Sequence, residues 1–280
     1  MRWCTTRFDV DLSTPQIMGI VNVTPDSFSD GGRHASTHAA LQHCEQLLRE
    51  GAHMLDIGGE STRPGSPAVA LEDELARVLP VVQGAVRLGV PVSVDTYKPE
   101  VMRAVLDVGA DIINDIWALR QGDALQAVAA HPRCGVCLMH MHRDPQTMQM
   151  EPMQGDVLPD VLAFLQQRSQ ALQALDVAPG RIVLDPGVGF GKTVAQNFSL
   201  LSRQSALMAL GYPLLAGWSR KSSLGAVTGQ EVAAERVAAS VAAALLAVER
   251  GARIVRVHDV RQTADALRVW QAALQETIHH

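Results

Sequence analysis

Polar side chains recur along this chain at the carboxyl ends of short apolar runs. Each run has the length and composition of a buried strand. The polar residues are Asn22, Asp56, Asp95, Asn114, His140, Asp185 and His258. Leaving them buried without partners would cost about 1–3 kcal/mol each. Side chains at the carboxyl ends of neighbouring parallel strands can instead meet on one open face. We therefore expect a shared site there, although Asp56 has a simpler explanation, since an aspartate within a strand can pair with a neighbour.

Cationic donors follow the last two of these strands. Arg256 and His258 are two residues apart, so their side chains point to the same side of a strand. Residues 219–222, which include Lys221, follow the preceding strand. A guanidinium offers a planar fork of donors that matches a phosphate. The pattern predicts an anion site, although a surface arginine and a packed histidine would give the same pattern.

Three acceptor groups stand on neighbouring strand ends, namely Asp95, Asn114 and Asp185. Such a set suits a flat heterocycle that is rich in N–H groups. The same carboxylates could instead form an oxygen site for Mg²⁺ or Ca²⁺. Lys221 would crowd a metal ion, so the heterocycle is favoured.

Residues 187–193 end in Gly-Lys-Thr, as a P-loop does, but they do not form that motif. The first glycine of the motif would fall at position 186, which is Pro186. We interpret the segment as the loop after the sixth strand, with Phe190 as an aromatic lid over the site.

Two other pairs of residues have the spacing of metal ligands. His140 and His142 follow the fifth strand, as in metal hydrolase barrels, but the sixth and seventh strands end without a partner histidine. Cys134 and Cys137 are three apart in a predicted strand segment, so they point to opposite faces. We expect neither pair to bind metal, and we expect reduced, mostly buried thiols in a cytoplasmic protein.

The elements that must position these groups alternate regularly. Strands are predicted over residues 17–23, 53–57, 91–95, 111–114, 135–140, 181–185, 213–217 and 253–258. Helices are predicted over 37–50, 71–88, 99–108, 122–130, 159–175, 197–210, 231–250 and 261–275. Eight strand–helix units in 280 residues predict an α/β fold, a single (β/α)₈ TIM barrel. We expect one domain over residues 1–280, with a short N-terminal hairpin in residues 1–14. A doubly wound open sheet is the alternative.

Composition excludes several classes of protein. The chain is 47% apolar and 19% charged, with a net charge of −5, so nucleic acid is not an expected partner. The N-terminus lacks a basic start followed by an apolar core, so no secretory signal is predicted. The longest apolar run, residues 237–248, is far shorter than the roughly 20 residues of a membrane span. We expect a cytoplasmic protein that acts on small molecules.

The predicted helix that contains residues 237–248 is apolar on nearly every side. A helix in the outer ring of a barrel normally has a polar face toward water. A dry outer face predicts a homodimer through this helix. The alternative is that alanine tolerates either environment.

Taken together, the motifs resemble the bacterial dihydropteroate synthase family. The resemblance rests on residues 22–32, 58–65, 93–96, 113–116, 185–187, 219–222 and 256–259, and it covers nearly the whole chain. It implies an enzyme that joins 6-hydroxymethyl-7,8-dihydropterin diphosphate to p-aminobenzoate, with release of diphosphate and 7,8-dihydropteroate in folate synthesis.

The resemblance also implies roles for individual residues. The pterin residues are Asp95, Asn114, Asp185, Lys221 and Arg256. The diphosphate residues are Asn22, Thr62, Arg63, Arg256 and His258. The p-aminobenzoate residues are Phe28, Thr62, Pro64, Phe190, Lys221 and Ser222. The catalytic residues are Asn22, Asp30, Lys221, Arg256 and His258.

The expected cofactor is Mg²⁺, held by Asn22 among the protein residues. Mg²⁺ commonly keeps several waters and takes few protein ligands beside substrate phosphates. Asp30 is expected to approach the metal and the reacting carbon when the first loop closes. Catalysis would be positioning and charge placement rather than proton relay.

Two other functions fit the same motifs less well. A non-catalytic paralogue would not need all five of the following together: Asn22, Asp95, Lys221, Arg256 and His258. A methyltransferase that passes methyl from a folate to a corrinoid protein would not need the loops around Asp30 and Arg63. One residue departs from the family pattern near the site: Trp218 stands where the family often has Met, and its ring could narrow the p-aminobenzoate entrance.

Overall fold

The computed structural model describes residues 1–24, 32–61 and 65–278. The chain begins with a small antiparallel hairpin of β1 (Arg2–Cys4) and β2 (Asp9–Asp11). The strands that follow are β3 (Gln16–Asn22), β4 (Met54–Gly58), β5 (Val92–Asp95), β6 (Ile112–Asp115), β7 (Gly135–Met139), β8 (Ile182–Asp185), β9 (Leu214–Ala216) and β10 (Ala252–Val257).

Helices connect these strands. They are α1 (Gly32–Glu50), α2 (Leu71–Ala85), α3 (Pro99–Asp107), α4 (Ala124–Ala130), α5 (Leu158–Gln173), α6 (Val194–Ser202), α7 (Ser222–Thr228), α8 (Val237–Glu249) and α9 (Val260–Ile278). Short 3₁₀ turns occupy Val86–Leu88, Pro179–Arg181, Gln204–Leu210 and Ala233–Glu235. Within the described residues, no helix is both long and apolar enough to cross a membrane.

The strands β3 to β10 form a closed parallel barrel. Each pairs with the next along the chain, and β10 returns to β3 with Val255 opposite Ile17. Apolar residues that face outward from the strands pack against the surrounding helices in the main core. The TIM barrel with an N-terminal hairpin is confirmed, and the open doubly wound sheet is wrong. Closure matters for function because it brings the carboxyl ends of all eight described barrel strands around one opening.

The N-terminal hairpin closes the opposite end of the barrel. Trp3 and Leu12 are buried in one cluster with apolar side chains from the early part of the strands, including Met18, Met54 and Ile254. The indole Nε1 of Trp3 donates to the carbonyl oxygen of Arg181 at 2.9 Å. The barrel interior is therefore lined by apolar side chains at this end.

Some predicted boundaries were wrong. The helix predicted at 37–50 begins at Gly32, and the one predicted at 197–210 changes to a 3₁₀ turn after Ser202. The helix predicted at 231–250 begins at Val237 and is preceded by the unpredicted α7. Gly225 suggests a loop, but its α-carbon lies so close to Gln230 that a Cβ would come within 2.5 Å of the carbonyl oxygen. Glycine is used there for close packing rather than to break a helix.

Candidate active site

A cavity opens at the carboxyl ends of the barrel strands. It encloses about 410 Å³ including its open mouth, within the usual range for small-molecule sites. The five residues predicted to bind the pterin all line it: Asp95, Asn114, Asp185, Lys221 and Arg256. The remaining lining residues are Ile116, Met139, Val188, Phe190 and Gly217. The alternation of strand side chains thus brings groups from distant parts of the sequence to one place.

Arg256 lies between two carboxylates. Its Nε donates to Asp56 Oδ2 at 2.6 Å, and its Nη2 donates to Asp95 Oδ2 at 2.8 Å. Burial alone would lower the pKa of Arg256, but these two carboxylates outweigh burial and raise it. Arg256 therefore stays cationic, and its guanidinium is held from two sides.

Asp95 titrates far above an ordinary aspartate. Burial is the main cause, the Asp56 charge adds to it, and Arg256 only partly opposes it, so the pKa of Asp95 rises to about 7. Near neutral pH its carboxyl group can therefore either donate or accept a hydrogen bond. This suits a heterocycle edge that carries both N–H groups and ring nitrogens.

Asp185 is fixed by the turn that follows β8. Its Oδ1 accepts from the Gly187 N–H at 2.7 Å. Gly187 has φ of 68°, and a Cβ there would lie 1.8 Å from the His140 carbonyl oxygen, so only glycine fits. Burial raises the pKa of Asp185, while the Gly187 N–H and the Lys221 charge oppose that rise.

Lys221 and Phe190 form the side wall of the cavity. Lys221 immediately precedes α7, and its Nζ lies 4.3 Å from the centre of the Phe190 ring. The ring is buried among Ile116, Met139, Met141 and Met148. A cation over an aromatic face is a favourable contact, so each of the two side chains helps to position the other.

Lys192 is a functional candidate that the sequence did not reveal. It is only 2% exposed, and its Nζ donates to the carbonyl oxygens of Gly187 at 2.8 Å and Phe190 at 3.2 Å. The same Nζ lies 2.9 Å from His140 Nδ1. Burial lowers the pKa of Lys192 to about 7, although the Asp185 charge opposes this. Lys192 thus clamps the loop that carries Phe190. A lysine in a glycine-rich loop is normally exposed, so the residues around Lys192 carry little signal for this role.

The polar groups after β9 and β10 contact one another. Ser219 Oγ lies 3.0 Å from His258 Nδ1 and accepts the His258 backbone N–H at 3.1 Å, which fixes the imidazole. Arg220 donates twice to Asp259, at 3.1 and 2.6 Å. Arg220 therefore ties the loops after β9 and β10 together, and its guanidinium is engaged by a carboxylate of the protein itself.

The base of the second loop is anchored by a buried ion network. Lys98 Nζ contacts the carboxylates of both Glu60 and Glu74, the second at 2.5 Å. The Tyr97 hydroxyl donates to Glu60 Oε1 at 3.0 Å, and Arg77 donates to the Gly59 carbonyl oxygen at 3.2 Å. This network fixes the chain immediately before residues 62–64.

The remaining predicted site residues divide into two groups. Asn22 ends β3, half-buried and opposite Gly58 in the ladder, and Ser222 is the exposed first residue of α7. The others lie outside the described residues: Phe28, Asp30, Thr62, Arg63 and Pro64. Their roles stay predictions.

Trp218 does not line the cavity. Its ring is 1% exposed and packs among Leu201, Leu224 and Ala243 behind β9, 5.4 Å from the ring of Phe198. The expectation that it could narrow the p-aminobenzoate entrance was therefore wrong, because the side chain points into the outer layer.

His140 and the paired cysteines are buried. Burial and the Lys192 charge lower the pKa of His140 well below its usual range, so this imidazole is neutral. All four cysteines are free, with Cys134 in the outer core and Cys137 in the barrel interior. The described residues contain no cluster of three or more His, Cys, Asp or Glu side chains that could hold a metal ion.

Residues 18–258 match the family described as pterin binding enzyme. The chain is 52% identical over 275 residues to dihydropteroate synthase of Neisseria meningitidis serogroup B, a match that covers 96% of each chain.

Two solved structures show the same similarity. The Burkholderia cenocepacia dihydropteroate synthase complexed with 7,8-dihydropteroate has a TM-score of 0.90 at 51% identity, covering 100% of this chain and 98% of that one. The Xanthomonas albilineans dihydropteroate synthase with 4-aminobenzoic acid has a TM-score of 0.89 at 52% identity, covering 95% of each chain.

Proposed function

Because this chain belongs to the pterin binding enzyme family, as one of its dihydropteroate synthases, we propose how the residues at the barrel mouth divide the work of that reaction. The enzyme is a transferase of folate biosynthesis. It condenses 6-hydroxymethyl-7,8-dihydropterin diphosphate with p-aminobenzoate and releases diphosphate and 7,8-dihydropteroate. The observation that carries the proposal is the convergence of Asp95, Asn114, Asp185, Lys221 and Arg256 on one cavity.

The pterin ring is bound deep in this cavity. Asp95, Asn114 and Asp185 supply acceptors for its N–H groups, and Lys221 donates to its carbonyl or ring nitrogen. The pKa of Asp95 is raised to about 7, so its carboxyl group can be protonated or ionised near neutral pH. It can therefore face either an acceptor or a donor on the pterin ring. A cavity with apolar walls and few converging polar groups has the character of a specific small-molecule site.

The diphosphate lies at the mouth, near the ends of β3 and β10. Arg256 and His258 donate to its oxygens from the last barrel strand, and Arg63 adds a third cation from the second loop. Ser219 holds the imidazole of His258 in position. Donors that are fixed before the substrate arrives can stabilise developing charge without reorganising.

The donor set at Asn22 fits a magnesium ion. Its amide oxygen is a hard ligand of the kind that Mg²⁺ prefers, and substrate phosphates and waters would supply the other ligands. When bound, Mg²⁺ neutralises charge on the departing diphosphate. Asp30, in the first loop, is the second protein group proposed to lie near this ion.

The chemical step is a displacement at the methylene carbon of the pterin. The carbon–oxygen bond to diphosphate breaks and its electron pair leaves with the diphosphate, ahead of attack, because the electron-rich pterin supports a cation at that carbon. The p-aminobenzoate nitrogen then forms the new carbon–nitrogen bond and loses one proton to diphosphate or water. The amine is neutral at pH 7, so no strong base is needed.

The p-aminobenzoate ring occupies the outer part of the site, against Phe190 and near Ser222. The Xanthomonas relative was solved with this compound bound, and the Phe190 ring forms part of the cavity wall here. Phe28, Thr62 and Pro64 are assigned to the same region from the family motifs.

We also propose a homodimer through α8. The outward stripe of this helix is Ala238, Ala242 and Leu246, and Leu246 is 39% exposed. An apolar stripe of this kind is typical of a contact between subunits. The free cysteines support a reducing compartment, and hence the cytoplasm, as the location.

A diphosphate-release assay tests the function directly. We expect release only when pterin diphosphate, p-aminobenzoate and Mg²⁺ are all present, with 7,8-dihydropteroate as the second product. Omitting each component in turn is the control. Pterin binding without release would contradict the proposal and favour a non-catalytic or methyl-transferring member of the fold.

A further inference from the structure

A carboxylate lies below the pterin cavity, inside the barrel, without an assigned role. Asp56 is 0% exposed and stands in the middle of β4, opposite Ser93 of β5. A charge buried this deeply is costly, and apolar residues of similar volume often stabilise a core better. Core packing therefore does not explain an aspartate at this position.

The contacts of Asp56 are with two residues of the substrate site. Its Oδ2 accepts from Arg256 Nε at 2.6 Å and from Asn114 Nδ2 at 3.1 Å. We propose that Asp56 is a positioning residue for the synthase reaction, which sets the guanidinium of Arg256 and the amide orientation of Asn114. The inference deepens the proposed function and rests on it.

The amide orientation follows from the chemistry of the pair. A carboxylate oxygen accepts hydrogen bonds, and Asp56 Oδ2 already accepts from Arg256 Nε at 2.6 Å. The Asn114 atom that faces Asp56 must therefore be the NH₂ group. This leaves the Asn114 carbonyl oxygen for the cavity, so the substrate edge that meets Asn114 must carry an N–H donor.

The position of Arg256 follows from the same contact. A guanidinium has donors on three nitrogens, and Nε, the one nearest the chain, is bound to Asp56. Holding Nε fixes the plane of the fork, while Nη2 reaches Asp95 at 2.8 Å. Arg256 lines the cavity, and Nη1 is the terminal nitrogen that neither carboxylate binds, so it is the one left for the substrate.

The first test is Asp56→Asn, with Ser93→Ala as the matched control. Ser93 faces the same interior level, and its hydroxyl has no partner within the described residues, so its removal breaks no hydrogen bond. We expect Asp56→Asn to lower kcat/KM for pterin diphosphate about 10- to 100-fold, the size of one charge-assisted hydrogen bond. KM for p-aminobenzoate and the kinetics of Ser93→Ala should change by less than about twofold.

A swap tests the orientation of the amide. Asn114→Asp alone places two carboxylates 3.1 Å apart at the contact now made by Asn114 Nδ2. Adding Asp56→Asn places an amide NH₂ at position 56, which can donate to the new carboxylate at position 114. The other oxygen of that carboxylate still faces the cavity as an acceptor. We expect the double variant to recover pterin affinity at least about fivefold over Asn114→Asp, by calorimetry at pH 8. A double variant no better than Asn114→Asp would overturn the inference.

If the variants fail to fold, a measurement on the wild-type protein still tests the role of Asp56. The Nε–H proton of Arg256, assigned by its loss in Arg256→Lys, should be shifted downfield and exchange slowly in proton–nitrogen NMR spectra. Rapid exchange, or an Asp56→Asn enzyme with kcat/KM within about threefold of wild type, would refute the role of Asp56. If the wild type released no diphosphate, the proposed function would be refuted instead. The NMR signal would still test the contact between Asp56 and Arg256.

Discussion

Replacing Lys192 by methionine should make the stability difference between variant and wild type depend strongly on pH. The ammonium group is 2% exposed, and burial lowers its pKa from the usual 10.5 to about 7. At about 1.4 kcal/mol for each pH unit between those values, holding the charged form in the fold costs about 5 kcal/mol. Methionine has a similar length and cannot titrate, so it removes the coupling between proton binding at Lys192 and folding.

The direction follows from proton binding. Between pH 7 and pH 10.5 the unfolded chain holds a proton on Lys192 that the folded chain has released. The contribution of Lys192 to the free energy of unfolding is therefore fully present above the unfolded-state pKa of 10.5 and is lost as the pH falls toward the folded-state pKa of about 7. We expect wild type to gain about 2–3 kcal/mol over Lys192→Met between pH 7.5 and pH 9.5.

Urea unfolding at these two pH values, followed by circular dichroism, measures the difference. Arg87→Met is the control, because it removes an exposed cation and should leave the comparison with wild type unchanged. The clamp also positions Phe190, so Lys192→Met should raise KM for p-aminobenzoate several-fold more than KM for the pterin. An equal stability difference at both pH values would refute a titrating Lys192 and indicate an ammonium kept charged by its carbonyl partners.

Three further outcomes can be checked. Lys221→Ala should abolish detectable pterin binding in calorimetry while the thermal unfolding temperature stays within a few degrees of wild type, and global unfolding would show that Lys221 is structural. Lys98→Met should lower the free energy of unfolding by about 3–5 kcal/mol, because it leaves the Glu60 and Glu74 carboxylates buried without their cation. A loss below about 1 kcal/mol in urea unfolding would contradict the anchoring network. Leu246→Glu should shift sedimentation from dimer to monomer without changing the fold, and an unchanged dimer would exclude α8 as its interface.

The fold was predictable because its signals are repeated and local. Each barrel strand is a short apolar run, and each is followed by a helical segment of sufficient length, so eight moderate signals agree on one architecture. The strand-end rule also predicts that Asp95, Asn114 and Asp185 are neighbours, and all three line the cavity. Such convergence depends only on the alternation of side chains along strands.

What the sequence missed depends on contacts between distant residues. Nothing local separates Lys192 from a solvated lysine, because its burial comes from carbonyl oxygens of a loop that folds around it. The position of Asp56 within a strand suggests pairing with a nearby residue, yet its partner Arg256 is 200 residues away. The orientation of Trp218 likewise depends on Leu201 and Ala243, which pack behind β9.

Helix α7 was missed for a different reason. Gly225 and Gly229 are typical of a loop, and only Gly229, with φ of 73°, ends the helix. Gly225 instead allows the backbone to approach Gln230 and the Arg236 side chain. A close approach of this kind cannot be distinguished from a turn by sequence alone.

The indole of Trp3 has a consequence for the order of events during synthesis. The carbonyl group that receives its hydrogen bond belongs to Arg181, 178 residues later in the chain. At about 5–20 residues per second, the ribosome needs roughly 10–35 s to make that segment. Until then the indole N–H of Trp3 lacks the carbonyl oxygen that accepts from it in the folded protein. The hairpin therefore cannot complete its closure of the barrel until most of the chain has been made.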